Sequence, residues 1–232
     1  MQRSHMPAAN KLLTALKRAE YAPLKAHLEP VTLTFGEALY QPGDLIKQIY
    51  FPLDCLVSLL TVVDHHDALE VGLVGREGMV GIDYALGAAV SPIRAMVQGS
   101  GHALRMKATL FRKELQRNPA LQREVYVYTH TLMSQISQTA ACNRFHRVEA
   151  RLARWLLLTR DRVCSDHFRL THEFLGHMLG VRRVGVTNAA LALKARLLID
   201  YSRGNIDILD GAGLQAASCS CYASASGGAK PG

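Results

Sequence analysis

The sequence predicts an α+β protein in which a β jelly roll comes first, a long helix follows, and a winged helix-turn-helix comes last. Three observations predict this order. Short β-type runs alternate with turns before residue 107, no Gly or Pro interrupts residues 120–145, and Gly180 separates two amphipathic stretches. The expected parts are a jelly-roll domain with flanking helices at 1–118, the long helix at 119–146, the winged domain at 147–214 and a mobile tail at 215–232.

The first part alternates short apolar runs with turn signals. The runs cover residues 31–35, 49–51, 55–63, 69–73 and 95–98. Many short strands with regular turns are typical of a β sandwich, barrel or jelly roll. Ahead of them, Asn10 is suited to cap a helix that extends to residue 29.

The long helix begins at Asn118 and Pro119, because Asn suits the N-cap and Pro suits the first helical position. An apolar stripe follows at spacings of three, four and seven: Leu121, Val125, Tyr128, Leu132, Thr139 and Cys142. Such a stripe favours a homodimer that pairs through residues 119–146. The alternative is a helix that packs on its own β domain.

Residues 171–198 carry the pattern of a helix-turn-helix. The turn needs a residue that tolerates positive φ, which Gly180 provides, and the crossing needs a small residue, which Gly176 provides. Thr171 is a fitting N-cap for the first helix. We expect the second helix to span residues 182–198. Its buried side would consist of Val186, Ala189, Leu193 and Leu197.

The opposite face of the second helix would present Arg182, Arg183, Thr187 and Asn188. Arg can bind guanine with two hydrogen bonds, and Asn can bind adenine in the same way. We therefore predict binding to double-stranded DNA through this face. Gly185 costs about 1 kcal/mol in a helix interior relative to Ala. It either permits close approach to DNA or weakens the first turn.

Further DNA contacts are expected on both sides of that helix. Thr171 and His172 stand at the start of the first helix. Residues 199–209 predict a β hairpin with a Gly-Asn turn, which is the wing, and Ser202 and Arg203 would bring it near a phosphate.

The net charge of +8 favours a polyanionic partner, but it is distributed unevenly. Residues 1–106 carry −1, residues 107–163 carry +7 and residues 164–214 carry only +1. The alternative function is therefore a ligand-binding sensor whose C-terminal domain docks a protein partner. We do not expect an enzyme, because the sequence has no nucleophile elbow, P-loop or paired-carboxylate motif.

No apolar run approaches the roughly 20 residues of a membrane helix, and no signal-peptide pattern is visible, so we expect a cytoplasmic protein. The five cysteines, at positions 55, 142, 164, 219 and 221, include no Cys-x-x-Cys pair. Free thiols and no metal site are the expectation. A redox or metal role for Cys219 and Cys221 is the alternative.

The order of jelly roll, long helix, helix-turn-helix and wing resembles the Crp/Fnr family of transcription regulators. The resemblance covers residues 10–214 and is most specific at 171–191 and 197–210. It implies a homodimer whose long helices pair, and a pseudo-palindromic DNA site with half-sites about one helical turn apart. RNA polymerase is a candidate partner on the same ground.

Family members that bind cyclic AMP carry a phosphate cassette in the jelly roll, a Gly-Glu pair and a later Arg. Here Ile82 follows Gly81 where the Glu belongs, and Ile93 stands where the Arg belongs. Arg94, just before Ala95, comes one residue late, and one residue on a strand turns a side chain to the other face. We therefore predict a degenerate effector pocket that does not bind cyclic AMP in the usual manner.

Other signals of the family also look absent. Oxygen-sensing members use an N-terminal cysteine cluster, whereas this chain has no cysteine before Cys55. Haem-sensing members use a His on the β domain, but His65 and His66 are expected in a solvated turn. The sequence names no cofactor. A cyclic dinucleotide, a redox signal through Cys55 or Cys142, or no ligand at all remain open.

Overall fold

The computed structural model describes residues 9–63, 67–163, 165–202 and 204–225. The chain divides into two compact units. Unit 1 comprises Met1–Thr61 and Gly72–Met133, and unit 2 comprises Val62–Val71 and Ser134–Gly232. The boundary between the units falls within the long helix, and residues 62–71 count with unit 2.

Two antiparallel sheets make the β domain, and their strands are β1 (Glu29–Leu33), β2 (Ala38–Tyr40), β3 (Gln48–Pro52), β4 (Leu56–Val63), β5 (Asp67–Val74), β6 (Arg94–Gly99) and β7 (Gly101–Lys107). The strand orders are β1-β7-β3 and β2-β6-β4-β5. β7 pairs antiparallel with β1 and β3, and β6 pairs antiparallel with β2 and β4. The predicted β architecture is confirmed, with β2 and β7 added to the predicted runs.

The helices of the first half are α1 (Lys11–Thr14), α2 (Arg18–Lys25), α3 (Ile82–Ala85), α4 (Ala108–Arg117) and α5 (Pro119–Phe145). Asn10 caps α1 as predicted, since its Oδ1 accepts from Leu13 N at 3.3 Å. The single helix expected up to residue 29 is wrong. It breaks where the Glu20 carboxylate accepts from Lys17 N at 2.8 Å and starts α2.

The long helix α5 begins as predicted, because Asn118 Oδ1 accepts from Leu121 N at 3.0 Å. The first four positions of its apolar stripe, however, are buried within this chain. Leu121, Val125 and Leu132 lie in the core, and the Tyr128 hydroxyl donates to Met79 O at 3.1 Å. A helix packed on its own β domain therefore accounts for the stripe as far as Leu132, and pairing of two chains through that part of α5 needs another face.

Unit 2 continues with α6 (Val148–Val163), β8 (His167–Arg169), α7 (His172–Leu179), α8 (Arg183–Ala195), β9 (Ile199–Ser202), β10 (Asn205–Ile208), α9 (Gly211–Ala217) and α10 (Cys221–Ala225). β8, β10 and β9 form a three-stranded sheet in that order. The predicted wing is the β9–β10 hairpin, and β8 is a third strand that the sequence pattern did not indicate.

The predicted mobile tail is wrong as far as Ala225. Asp210 caps α9 by accepting from Gly213 N at 2.9 Å, and Leu214 is fully buried. Tyr222 on α10 donates its hydroxyl to Asp161 Oδ2 at 2.7 Å. A few buried side chains pack this segment against the rest of unit 2, although most of its residues are small or polar. Residues 226–232 lie outside the described residues.

Among the helices of the described segments, none is both long enough and apolar enough to cross a membrane.

Candidate nucleic-acid interface

The turn between α7 and α8 depends on two glycines. Gly180 ends α7 with φ 59°, the left-handed conformation that Gly adopts without strain. Val181 N donates to Gly176 O at 3.0 Å, and a Cβ on Gly176 would lie only 2.9 Å from Val181 O. The close crossing therefore requires Gly176, as the sequence predicted.

A side-chain cap marks the start of α7, and the buried residues define the inner face of α8. Thr171 Oγ1 accepts from Phe174 N at 3.1 Å, so Thr171 is the N-cap of α7. Val186, Ala189 and Leu193 are buried on the inner face of α8. The predicted burial of Leu197 is wrong, since this side chain is 74% exposed and its φ is 56°. The reason is that α8 ends at Ala195, so Leu197 no longer follows the helical repeat.

The start of α8 carries the exposed cations. Arg182 is its N-cap residue, and Arg182, Arg183 and Asn188 are all exposed. No acidic residue lies in the first turn. The unpaired N–H groups and the positive end of the helix dipole therefore add to the two guanidinium groups. This end of α8 is suited to bind a phosphate anion.

Val184 is a candidate contact that the sequence analysis missed. It is 69% exposed, next to Arg183 and one turn before Asn188. An exposed apolar side chain on this face can pack against a thymine methyl group. The helical repeat could have identified it, because Val184 is not among the positions that face the core.

His172 and Thr187 face each other inside the domain. His172 Nδ1 lies 2.9 Å from Thr187 Oγ1, and Thr187 Oγ1 donates to Arg183 O at 3.0 Å. Burial, and then the Arg183 charge, lower the pKa of His172. Since Nδ1 is engaged and Nε2 is buried, we correct the expected DNA contact of His172 to a positioning role.

The wing is tied to the end of α8. Lys194 Nζ lies 2.6 Å from Asp200 Oδ1 and donates to Tyr201 O at 3.2 Å. The Lys194 hydrogen bond lowers the pKa of Asp200. Ser202 is exposed at the end of β9, whereas Arg203 lies outside the described residues. The wing can therefore present Ser202 in a fixed relation to α8.

In unit 1, the residues that match the effector pocket enclose almost no space. Gly81, Ile82 and Ala95 line a cavity of about 10 Å³, which is room for one water at most. Ile93 lines it as well, whereas Arg94 does not, and Arg94 Nε donates to Gln41 Oε1 at 2.8 Å. Because Arg94 comes one residue later than the Arg of the family's cassette, its guanidinium contacts Gln41 and does not line the cavity.

The charge around this cavity is also unsuited to a phosphate. None of the residues that line it is a cation, and Asp83 is among them. Burial raises the pKa of Asp83, and its carboxylate would repel an anion.

Two further groups that the sequence analysis considered for other signals are the Cys55 thiol and the pair His65 and His66. Burial raises the pKa of Cys55 to about 12, so this thiol stays protonated at neutral pH and is unsuited to a redox signal. His65 and His66 lie outside the described residues.

Comparison with known proteins also finds a helix-turn-helix domain in the second half of the chain. A family model described as the Crp-like helix-turn-helix domain matches residues 150–217. A comparison with curated protein sequences gave no match. FixK2 from Bradyrhizobium japonicum has a TM-score of 0.70 at 12% identity, over 83% of this chain and 98% of that one.

Two further solved structures share the fold. TTHB099, a Crp-family transcriptional regulator from Thermus thermophilus, has a TM-score of 0.68 at 17% identity, over 81% of this chain and 96% of that one. The c-di-GMP-responsive regulator CLP from Xanthomonas campestris has a TM-score of 0.63 at 13% identity, over 83% and 99%. Residues 150–217 therefore match the Crp-like helix-turn-helix domain, and the chain as a whole shares its fold with solved transcription regulators that are described as members of the Crp/Fnr family.

Proposed function

We propose that the protein is a cytoplasmic, homodimeric transcription regulator that binds a pseudo-palindromic site in double-stranded DNA. The observation that carries the proposal is the start of α8, where Arg182, Arg183 and Asn188 are exposed on a helix held by a Crp-like helix-turn-helix. In this fold the second helix of the motif enters the major groove with its N-terminal residues toward the bases.

Each exposed group has a chemical role in this proposal. Arg182 and Arg183 bind guanine edges or phosphates, and Asn188 binds adenine. Val184 packs against a thymine methyl group. Thr187 supports these contacts from behind, because its hydroxyl is engaged by His172 and Arg183 O.

The flanking contacts go to the DNA backbone. Thr171 at the start of α7 and Ser202 and Arg203 in the wing are assigned to phosphates, which fix orientation without reading sequence. We assign no residue to a contact with RNA polymerase.

The proposed dimer uses the outer face of α5. Tyr126, Val127 and Met133 are each more than half exposed, at 60%, 57% and 64%. Tyr126 and Met133 are seven residues apart, the spacing at which two helices can pair over two turns. Apolar side chains in this pattern are unusual on a helix that stays in water, which supports pairing of two chains.

We further propose that cyclic AMP does not control the protein through the usual phosphate contact. The collapsed cavity at Gly81 and the displaced Arg94 support this view. CLP is described as responsive to c-di-GMP, which makes a cyclic dinucleotide a reasonable second ligand to test.

The test of DNA binding starts from a random duplex library, because no target is assumed. Purified full-length protein is used to select sequences, and the affinity for the selected duplex is measured by fluorescence anisotropy at several salt concentrations. We expect a symmetric selected site. The double variant Arg182→Ala/Arg183→Ala should bind it at least about tenfold more weakly, since one Arg–guanine pair is worth about 1–3 kcal/mol.

A matched control removes two exposed cations from α4, Lys113→Ala/Arg117→Ala, and should leave the affinity for the selected duplex unchanged. Two results would instead favour a C-terminal domain that docks a protein partner. These are selection without any sequence preference and an Arg182→Ala/Arg183→Ala variant whose DNA affinity equals that of the wild type.

A further inference from the structure

Four side chains from two distant parts of unit 2 converge at one point. Cys142 lies near the end of α5, and His146 follows one turn later. Cys219 and Cys221 come from the segment after the wing. One ligand atom from each of these residues, three sulfurs and one ring nitrogen, lies within 4.8 Å of all the others.

We propose that Cys142, His146, Cys219 and Cys221 form a tetrahedral zinc(II) site that fastens the C-terminal segment to the end of the long helix. Three thiolates and one imidazole are an established donor set for structural zinc. The sequence alone did not reveal it, because its two halves, Cys-x-x-x-His and Cys-x-Cys, are more than 70 residues apart.

The distances between donor atoms agree with a single zinc ion. With zinc–sulfur bonds of about 2.3 Å and zinc–nitrogen bonds of about 2.0–2.1 Å, tetrahedral geometry separates two sulfurs by about 3.8 Å and a sulfur and a nitrogen by about 3.5 Å. Cys142 Sγ and Cys219 Sγ are 3.5 Å apart, and Cys221 Sγ and His146 Nδ1 are 3.6 Å apart. Small shifts complete the site.

Local backbone geometry brings the donors of each pair together. His146 N donates to Cys142 O at 3.1 Å, so the two side chains lie one helical turn apart on the same face. Tyr222 N donates to Cys219 O at 3.0 Å, a turn that folds the Cys-x-Cys segment back on itself. Each half of the site thus presents two ligands at once.

The surroundings are suited to a negatively charged site. Three thiolates and one zinc(II) ion carry a net charge of −1. Arg151 and Arg154 are buried close by, with 6% and 7% of their surfaces exposed, and neither has a carboxylate partner among the described residues. A buried cation needs a compensating charge, and the zinc–thiolate centre supplies one negative charge beside these two arginines. Gln138 Nε2 also lies 2.9 Å from Cys221 Sγ, as an outer hydrogen bond to a ligand sulfur.

Other uses of these residues agree less well with the geometry. An iron–sulfur cluster distributes its ligands over several irons, whereas these donors are close enough to share one ion. A disulfide between Cys142 and Cys219 needs a sulfur separation of about 2.05 Å and leaves Cys221 and His146 unused. Since the chain fills all four positions and the three cysteines are buried, the site is closed, which is typical of structural and not of catalytic zinc.

The test measures metal directly and does not depend on DNA binding. The full-length chain is purified under reducing conditions in metal-free buffer, and its zinc content is determined by plasma mass spectrometry and native mass spectrometry. We expect about one zinc per chain. Cobalt(II) added to chelator-stripped protein should give the thiolate charge-transfer and d–d absorption bands of a tetrahedral site.

Two substitutions test the ligands. Cys221→Ser and His146→Ala should each lower zinc occupancy at least about tenfold. The matched control Cys55→Ala, at a buried cysteine of unit 1, should keep full occupancy. Because a ligand variant can fail to fold, wild-type protein is also unfolded thermally with and without a chelator. The midpoint should fall on stripping and recover with zinc(II).

The proposal is wrong if the reduced wild-type chain binds neither zinc(II) nor cobalt(II). It is equally wrong if bound zinc survives in the double variant Cys219→Ser/Cys221→Ser. A chain purified without reductant that is lighter by two hydrogens, with Cys142 linked to Cys219, and that takes up no metal after reduction would identify a disulfide instead.

Discussion

The ring of His172 at the start of α7 stacks on the ring of Tyr201 in the wing, with centroids 4.1 Å apart and 16° between the planes. Its Nδ1 meets Thr187 Oγ1 on α8 at 2.9 Å. One side chain therefore joins both helices of the motif to the wing. Since the Thr187 hydroxyl donates to Arg183 O, the ring proton belongs on Nδ1, and the buried Nε2 has no partner among the described residues.

This arrangement predicts that acid destabilises the helix-turn-helix. Burial and the Arg183 charge lower the pKa of His172 below its ordinary value of about 6.5. Below that pH the unfolded chain binds a proton that the folded ring does not, so the free energy of unfolding falls as pH decreases and is recovered as pH rises again. Urea unfolding of wild type and His172→Gln across this range should show a flatter pH dependence for the variant.

The control for this experiment is His177→Gln, an exposed histidine on the same helix. It makes the same substitution on the same helix but leaves the contacts of His172 with Thr187 and Tyr201 in place. Equal slopes for His172→Gln and wild type would remove His172 as the origin of the acid sensitivity.

We predict that substitution of Gly185 changes the stability of the protein and its affinity for DNA in opposite directions. A Cβ at this position would lie 3.8 Å from the nearest Val181 atoms, an ordinary contact, so the protein itself does not require glycine here. Gly185→Ala should raise the free energy of unfolding by up to about 1 kcal/mol, because Ala favours a helix interior. If α8 lies against DNA, the added methyl group should weaken binding to the selected duplex.

Gly176→Ala is the contrasting variant. Its Cβ would lie 2.9 Å from Val181 O and would force the turn apart, so we expect a loss of about 1–3 kcal/mol of stability. Denaturant melts and anisotropy titrations of both variants check this pair. A Gly185→Ala protein that is more stable and binds DNA as tightly as wild type would show that Gly185 does not approach the duplex.

Features that depend on neighbouring residues could be predicted from the sequence, whereas features that depend on residues far apart in the sequence could not. Thr171, Gly176 and Gly180 were predictable because a cap and a tight turn depend on neighbouring residues. Leu197 was assigned to the wrong side because the end of α8 depends on a positive φ that no periodic pattern indicates. The stripe at Leu121 and Tyr128 was periodic, but its partner was set by tertiary packing.

The cysteines illustrate the same limit more strongly. Cys142 and Cys219 are 77 residues apart in sequence, and their sulfurs are 3.5 Å apart in space. Only the packing of the segment after the wing on unit 2 brings them together, and that segment has a composition typical of a mobile tail.

From the exposed apolar face of α5 we predict that Met133→Glu separates the proposed dimer. Placing two carboxylates near the two-fold axis of paired helices costs about 2 kcal/mol or more, so we expect dimerisation at least about tenfold weaker. Sedimentation equilibrium measures it. Leu86→Glu is the control, because Leu86 is 55% exposed on unit 1 but away from α5 in sequence. A Met133→Glu protein that dimerises like wild type would move the interface to another surface.

Because the cavity at Gly81 is so small, we predict that cyclic AMP does not bind to this protein. Ligand pockets for molecules of this size enclose about 300–1,000 Å³, whereas Gly81 and Ala95 line about 10 Å³. Ligand at 100 times its dissociation constant stabilises a folded protein by about 2.7 kcal/mol, which thermal unfolding detects readily. We expect no change in the unfolding midpoint with millimolar cyclic AMP and no heat in isothermal titration. Adenosine monophosphate at the same concentration controls for weak, non-specific effects. A saturable shift with cyclic AMP alone would mean that the cavity opens around a phosphate held by something other than Arg94.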